Sequence, residues 1–351
     1  MSTLSIRGRA VGPGHPTYIV AELSANHNQD FDEAVRLIHA VKDIGADAVK
    51  LQTYTADTLT IPCANEYFRI GGGTLWDGRT LHDLYQEAYT PWEWQPKLKI
   101  VANDLGLDLF STPFDDSAVD FLEKMDVPVH KVASFEILDL PLIRRIAATG
   151  KPVIMSTGMS TLSEIEDAVT AARGAGAGGI ALLKCTSAYP APPESMNLRT
   201  IPHLAQAFDV VAGLSDHTLG TAVPIAAVTL GACIVEKHFT LSRAVPGRDS
   251  AFSLEPHEFK AMVQSIRTVE RALGSVRYEV TEKERASRVF RRSLFVVADV
   301  AAGEPLTAVN VRSIRPGHGL APKHLDAVLS SVATRDLKRG TPLSLGDFKP
   351  R

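Results

Sequence analysis

The chain has 351 residues, enough for two domains at about 150 residues each, and its 45% hydrophobic and 22% charged content excludes a disordered, collagen-like or low-complexity protein. With 37 Lys+Arg against 40 Asp+Glu the net charge is −3 at pH 7, which excludes polyanion binding driven by bulk charge. Cys63, Cys185 and Cys233 lie far apart with no CxxC pair, which suits a reducing compartment rather than a disulfide framework. The first residues lack the apolar run of a signal peptide. The most apolar later stretch, 223–235, is too short to span a bilayer and contains Gly231. The expectation is a soluble, cytoplasmic protein with neither a membrane nor a nucleic-acid partner.

From residue 17 to about residue 274 one rhythm repeats. Short apolar runs at 18–23, 46–53, 107–112, 129–134, 151–157, 180–185, 210–217 and 232–239 each end in polar residues, and a segment of helical period follows. Apolar runs without alternation are what a parallel sheet covered on both faces requires. Between them, Ala34, Leu37, Ile38, Val41 and Ile44 share one face of a helix over 31–44. Thr161 and Glu164 fit a capping box, and Pro256 suits the first turn of a last long helix running toward Leu273.

Eight such units in roughly 250 residues predict an α/β fold of the (β/α)₈ TIM-barrel type. An open doubly wound sheet is the rival, but the turn after the first strand reads ELSANHN and lacks the Gly-rich phosphate fingerprint. The connection from Thr53 to a helix at Trp92 is abnormally long, as in a lid or substrate wall. Trp76, Tyr85, Tyr89, Trp92 and Trp94 predict that it is packed. After Gly274 the polar, charged segment 275–289 reads as a linker. Residues 290–351 read as a small strand-rich domain, marginal alone and expected to dock on a partner surface.

In a barrel of this type the chemistry sits where the strands end, and here every strand ends in functional groups. In chain order they are Glu22; Lys50 and Gln52; Ser111 and Thr112; Lys131, Ser134 and Glu136; Ser156 and Thr157; Cys185 through Tyr189; Ser215, Asp216 and His217; and Glu236, Lys237 and His238. One such ending carries little weight, whereas eight predict a polar site. His217 and His238 stand on consecutive strands at matching depth. They are either satisfied core histidines or a converging pair suited to Mn²⁺, Fe²⁺ or Zn²⁺, with Glu236 as a further ligand or a supporting group. Lys50 and Lys131 lie inside apolar strands, where an unpaired ammonium is expensive. They pair with Glu22 or Glu136, or they form a pocket for an anionic substrate. Glu22 and Glu136 are the carboxylates placed for proton transfer.

The segments AELSANHNQDFDEAVRLI, GADAVKLQTYTADTL, FSTPFD, KVASFEILDLPLI, VIMSTGM, CTSAYPAPPE, GLSDHTLG and EKHFT resemble the sialic acid synthase family of phosphoenolpyruvate-dependent nonulosonate synthases. The tail from about Phe290, with IRPGHGL, looks like that family's C-terminal antifreeze-like (SAF) domain, so the resemblance covers essentially the whole chain. SANHN, the insert GTLWDGRTLHDLYQEAYTPWEW and DSAFSLEP (249–256) look most like the family's pseudaminic acid synthase branch.

The resemblance implies condensation of phosphoenolpyruvate with an N-acetylated hexose, 2,4-diacetamido-2,4,6-trideoxy-L-altrose, giving a nine-carbon acid and phosphate. It implies His217 and His238 as ligands of a divalent metal, usually Mn²⁺, with Mg²⁺ or Co²⁺ as alternatives. It places Lys50, Lys131, Ser134, Ser156 and Ser215 around phosphoenolpyruvate, Glu22 and Glu136 near the reacting carbons, and Asp249 at the acceptor. Gln52, Thr112 and Tyr189 complete the expected substrate-binding set. The resemblance also implies a domain-swapped homodimer in which Arg315, in the RPG motif of the tail, reaches the partner's active site. Ser187 stands where some relatives have Asn. Packing of Trp76, Tyr85 and Tyr89 on the acceptor is a further expectation. Three readings stay open beside this one: a legionaminate or neuraminate synthase, a metal-dependent pyruvate aldolase, and a non-catalytic carbohydrate-binding scaffold.

Overall fold

A computed structural model describes residues 2–71, 73, 76–245 and 247–351. The chain divides into two compact units, 1–274 and 275–351.

The first unit opens with a hairpin of β1 (Leu4–Ile6) and β2 (Arg9–Val11). The eight expected runs follow as β3 (Tyr18–Glu22), β4 (Ala48–Thr53), β5 (Asp108–Pro113), β6 (His130–Val132), β7 (Val153–Ser156), β8 (Ile180–Cys185), β9 (Val211–Asp216) and β10 (Ile234–His238). All pair in parallel, and β10 returns to β3 to close the barrel. Alternate strand residues face opposite sides. Phe110, Ile154, Leu183, Val211 and Ile234 fill one buried cluster, while Met155, Leu182, Ala212 and Leu214 pack in another with Ile143, Ile165 and Leu204 of the surrounding helices. The interior is therefore plugged by apolar side chains below its polar end.

Local signals place the helices. Asp30 caps Phe31–Ile44, accepting from the Glu33 backbone N–H, and Gly45 ends that helix at φ 80°, a left-handed conformation that suits glycine. Thr161 and Glu164 form the capping box before Leu162–Gly174, and Pro256 opens the helix Pro256–Leu273. The long insert is built on two helices, Ala56–Leu59 and Leu81–Ala88. Thr74 and Leu75 of its GTLWDG segment lie outside the described residues. The helix expected at Trp92 starts at Gln95, behind a single 3₁₀ turn over Trp92–Trp94.

At Gly213, in the middle of β9, there is no room for a side chain. A Cβ on Gly213 would lie 2.5 Å from the Ile234 carbonyl oxygen and 2.7 Å from Leu183 Cδ2. Gly213→Ala is expected to cost about 1–3 kcal/mol by overpacking, read as a lower urea midpoint with an unchanged slope.

In the second unit, residues 275–289 are not uniformly irregular. Thr281 and Glu284 cap a short helix, Glu282–Ser287, none of whose residues is buried. It is held by local capping rather than by an apolar face. Short antiparallel pairs follow, β11 (Ser293–Val296) with β12 (Val311–Ile314) and β13 (Ser331–Ala333) with β14 (Phe348–Pro350). They enclose a small core of Leu294, Val296, Leu306, Val311, Leu337 and Leu343. Among the described residues no helix is long and apolar enough to cross a membrane.

Candidate active site

The ends of β3, β4 and β10 meet in a buried charge cluster. Lys50 Nζ lies 2.8 Å from Glu22 Oε2 and 3.3 Å from Glu236 Oε1, with all three side chains shielded from solvent. The other Glu22 oxygen accepts from the Ser24 backbone N–H at 3.0 Å and from Gln52 Nε2 at 3.2 Å. Glu236 accepts from the Ser215 hydroxyl at 3.0 Å. Burial raises the Glu22 pKa against the pull of Lys50, and the Glu236 charge adds to the rise. Burial acts the same way on Glu236, but Lys50, Lys131 and Ser215 outweigh it and hold its pKa below the usual carboxylate value. Two adjacent carboxylates pushed apart in this way can divide the roles of proton carrier and fixed charge. The Lys50 partners are thus Glu22 and Glu236.

Lys131 is different. Its ammonium is buried without a carboxylate in contact, donating to the Ser156 hydroxyl at 2.7 Å and the Val132 carbonyl at 2.8 Å. Burial pulls its pKa down to about 8. Beside it, the Gly158 backbone N–H donates to Ser134 Oγ at 3.1 Å. A Cβ on Gly158 would fall 2.3 Å from Ser187 Oγ and 2.7 Å from Ser134 Oγ, so the three come together around that backbone. Ser187 Oγ, Thr112 Oγ1 and Glu136 Oε2 are buried with no hydrogen-bond partner among the described residues. A buried cation beside a serine hydroxyl is a place where an anion gains both charge and hydrogen bonds.

The two histidine rings lie 5.4 Å apart between centroids. His217 Nδ1 is 3.0 Å from the Thr186 carbonyl; a carbonyl only accepts, so Nδ1 carries the proton and Nε2 has a free lone pair. His238 is buried, its Nδ1 has no partner, and burial together with His217 and Lys50 holds its pKa well below the ordinary value. His238 is therefore suited to act as a neutral imidazole donor, whereas at His217 burial is outweighed by Cys185 and the Thr186 carbonyl, which raise its pKa, so its Nε2 donates a lone pair only in the neutral ring. Among the described residues no group of three or more His, Cys, Asp or Glu side chains is arranged around one ion. A cation here would take two protein nitrogens and complete its shell with water or substrate oxygen. Tyr189 stacks 4.3 Å from His217, and Phe252 stands 4.9 Å from His238.

Asp249 is buried at the loop after β10, where Ser24 donates to its carboxylate. Trp76 of the insert meets Tyr189 edge-on at 6.0 Å, and Tyr85 meets the buried Tyr54 at 5.7 Å. Tyr89 stays at the insert's end, where its carbonyl accepts from Gln29. Arg315 belongs to the second unit, on the wall of a cavity of about 670 Å³ that also carries Arg292 and Arg312.

The NeuB family model matches residues 37–278, and the SAF domain model matches residues 291–349. The chain belongs to the NeuB family. It is 46% identical to the pseudaminic acid synthase of Helicobacter pylori, over 95% of this chain and 98% of that protein. It is 44% identical to the pseudaminic acid synthase of Campylobacter jejuni serotype O:2, over 95% and 96%. Among solved structures it is similar to the N-acetylneuraminic acid synthetase of Leptospira borgpetersenii, with TM-score 0.73 and 29% identity, covering 82% of this chain and 95% of that one.

In this NeuB-family barrel several supporting residues escaped the sequence reading. Asn26 donates to the Phe239 carbonyl and the Ser253 hydroxyl, each at 2.9 Å. His27 accepts from the Gln29 backbone N–H, bonds Thr90 at 3.0 Å, and is held neutral by burial, which lowers it to about 4. The SANHN turn therefore ties β3 to the loop after β10 and to the insert. Its only signal was the density of polar residues where a glycine turn was the alternative.

Glu136 offers a pH test. Burial raises its carboxyl to about 7, so folding takes up a proton there. Its contribution to stability is fully present below about pH 4.5 and is lost as pH rises through 7. Glu136→Gln is expected to lose less stability than the parent between pH 5 and pH 8, compared by urea midpoints at both values.

Proposed function

We propose that this NeuB-family protein condenses phosphoenolpyruvate with 2,4-diacetamido-2,4,6-trideoxy-L-altrose and water, giving pseudaminic acid and phosphate. The observation that carries the anionic half is Lys131, a buried ammonium beside a serine hydroxyl with no carboxylate in contact. Similarity to two proteins named pseudaminic acid synthase supports the acceptor.

The residues divide the work as follows. Lys131, Ser134, Ser156 and Ser215 receive phosphoenolpyruvate. Gln52, Thr112, Tyr189 and Asp249 line the acceptor side, and Tyr189 with Phe252 excludes water around the histidines. The enol carbon attacks the open-chain aldehyde carbon, and Glu136, protonated below about pH 7, gives the nascent alkoxide its proton. Positive charge then develops at the phosphate-bearing carbon, and water adds there, losing a proton to Glu22. Collapse of this adduct breaks the bond from that carbon to the phosphate oxygen, the hydroxyl proton leaves with the phosphate as the ketone forms, and Lys50 and Lys131 balance the charge of the departing phosphate. His217 and His238 would hold a divalent cation, Mn²⁺ first, which supplies Lewis acidity toward a carbonyl oxygen.

The proposal includes a homodimer in which the SAF domain of one chain serves its partner's barrel through Arg315. It rests on the family resemblance. Sedimentation of a dimer is expected; a fully active monomer would overturn it.

The test offers metal-stripped protein, with and without added Mn²⁺, phosphoenolpyruvate and one of three sugars: the L-altro hexose, its D-manno counterpart or N-acetylmannosamine. Metal-dependent phosphate release with the L-altro sugar alone is expected. Turnover of another sugar instead overturns the acceptor, and silence with all three overturns the synthase reading.

A further inference from the structure

Immediately before each histidine stands a charged residue that this chemistry does not use. Asp216 precedes His217, Lys237 precedes His238, and the two are direct register partners across β9 and β10. Both side chains are wholly shielded from solvent, with Nζ 2.5 Å from Asp216 Oδ2. Lys237 also donates to the Thr218 carbonyl at 2.5 Å. Asp216 accepts from the Thr218 backbone N–H at 3.0 Å and from its hydroxyl at 3.1 Å. The cluster therefore grips the chain on both sides of His217.

Strand alternation puts this pair on the face opposite the histidines. As a source of stability it is a poor choice, because a buried ion pair is commonly matched or bettered by apolar residues of similar volume. What it supplies is register. A slip of one residue between β9 and β10 would bury two unpaired charges and turn a histidine to the wrong face.

We propose that Asp216, Lys237 and Thr218 form a positioning brace that sets the separation and aim of His217 and His238, and through them the affinity for a divalent cation. This rests on the reading of the two histidines as metal ligands. A merely structural cluster would change the melting temperature and leave cation affinity alone.

The test measures Mn²⁺ binding to the full chain by the loss of the free-ion paramagnetic resonance signal, beside thermal melting. Asp216→Leu with Lys237→Met keeps the volume buried and is expected to melt near the parent temperature while binding Mn²⁺ about 10–100-fold more weakly. Thr218→Val, which removes only the hydroxyl bond, is expected to weaken binding severalfold, and it decides the matter if the double variant does not fold. Folded variants with parental affinity overturn the brace. His217→Ala separates the two claims: if it binds Mn²⁺ as tightly as the parent, the metal reading itself falls. If it loses binding while the brace variants keep it, only the brace falls.

Discussion

Lys50→Met is expected to lose about 3–5 kcal/mol of stability together with all phosphate release. The methionine fills much of the same space, so the loss comes from the groups left behind. Glu22 and Glu236 are both buried and both lean on this one ammonium, at 2.8 and 3.3 Å. Without it, burial and mutual repulsion raise both carboxyls, so folding must take up protons. The variant should therefore be least damaged at acid pH and lose stability progressively as pH rises through the raised values. Adding Glu22→Gln and Glu236→Gln removes the charges and should restore most of the stability at neutral pH. It should not restore activity, because in the proposed mechanism the carboxylate that accepts the water proton is gone. Urea unfolding of the parent, the single variant and the triple variant at pH 5 and 8 checks each statement.

Lys131→Met is expected to act differently. This ammonium has no carboxylate in contact and burial disfavours its charge, so the relief on removing it should offset the support it gives to Glu236 and leave stability near that of the parent. Activity should fall about 10²–10³-fold, the usual scale for removing one charge-stabilising donor from a closed site. The parent should bind phosphoenolpyruvate best below about pH 8, where the ammonium is charged, and its KM should rise above that value. The variant should show a high KM with no break near pH 8. Steady-state phosphate release across pH 6.5–9, with melting curves of both proteins, separates loss of a binding charge from loss of fold.

The barrel was legible because a parallel sheet buried on both faces writes itself as apolar runs without alternation, and each run met its strand within a residue or two. The Thr161–Glu164 box and Pro256 placed their helices for the same reason, since capping is local chemistry. Polar strand ends marked where buried charged and polar side chains gather. Partners within it were less legible. Lys50 was expected beside Glu22 or Glu136, yet its second partner is Glu236, brought near only because β10 closes on β3. Closure is a property of the whole sheet, and no local pattern states it. Phe252 against His238 and the knot of Asn26 and His27 are likewise long-range contacts. The helix Glu282–Ser287 is indistinguishable from linker in the sequence because it has no buried face to give a period.

The central claim is that this barrel joins phosphoenolpyruvate to a six-carbon aldehyde with water entering at the phosphate-bearing carbon. The most direct measurement uses phosphoenolpyruvate carrying ¹⁸O in its bridging position, incubated with the protein, Mn²⁺ and the L-altro hexose, with both products read by mass. A nine-carbon acid without the label and phosphate that retains it are expected. Labelled acid with unlabelled phosphate would mean that the phosphorus–oxygen bond breaks, contradicting the roles given to Glu22, Lys50 and Lys131.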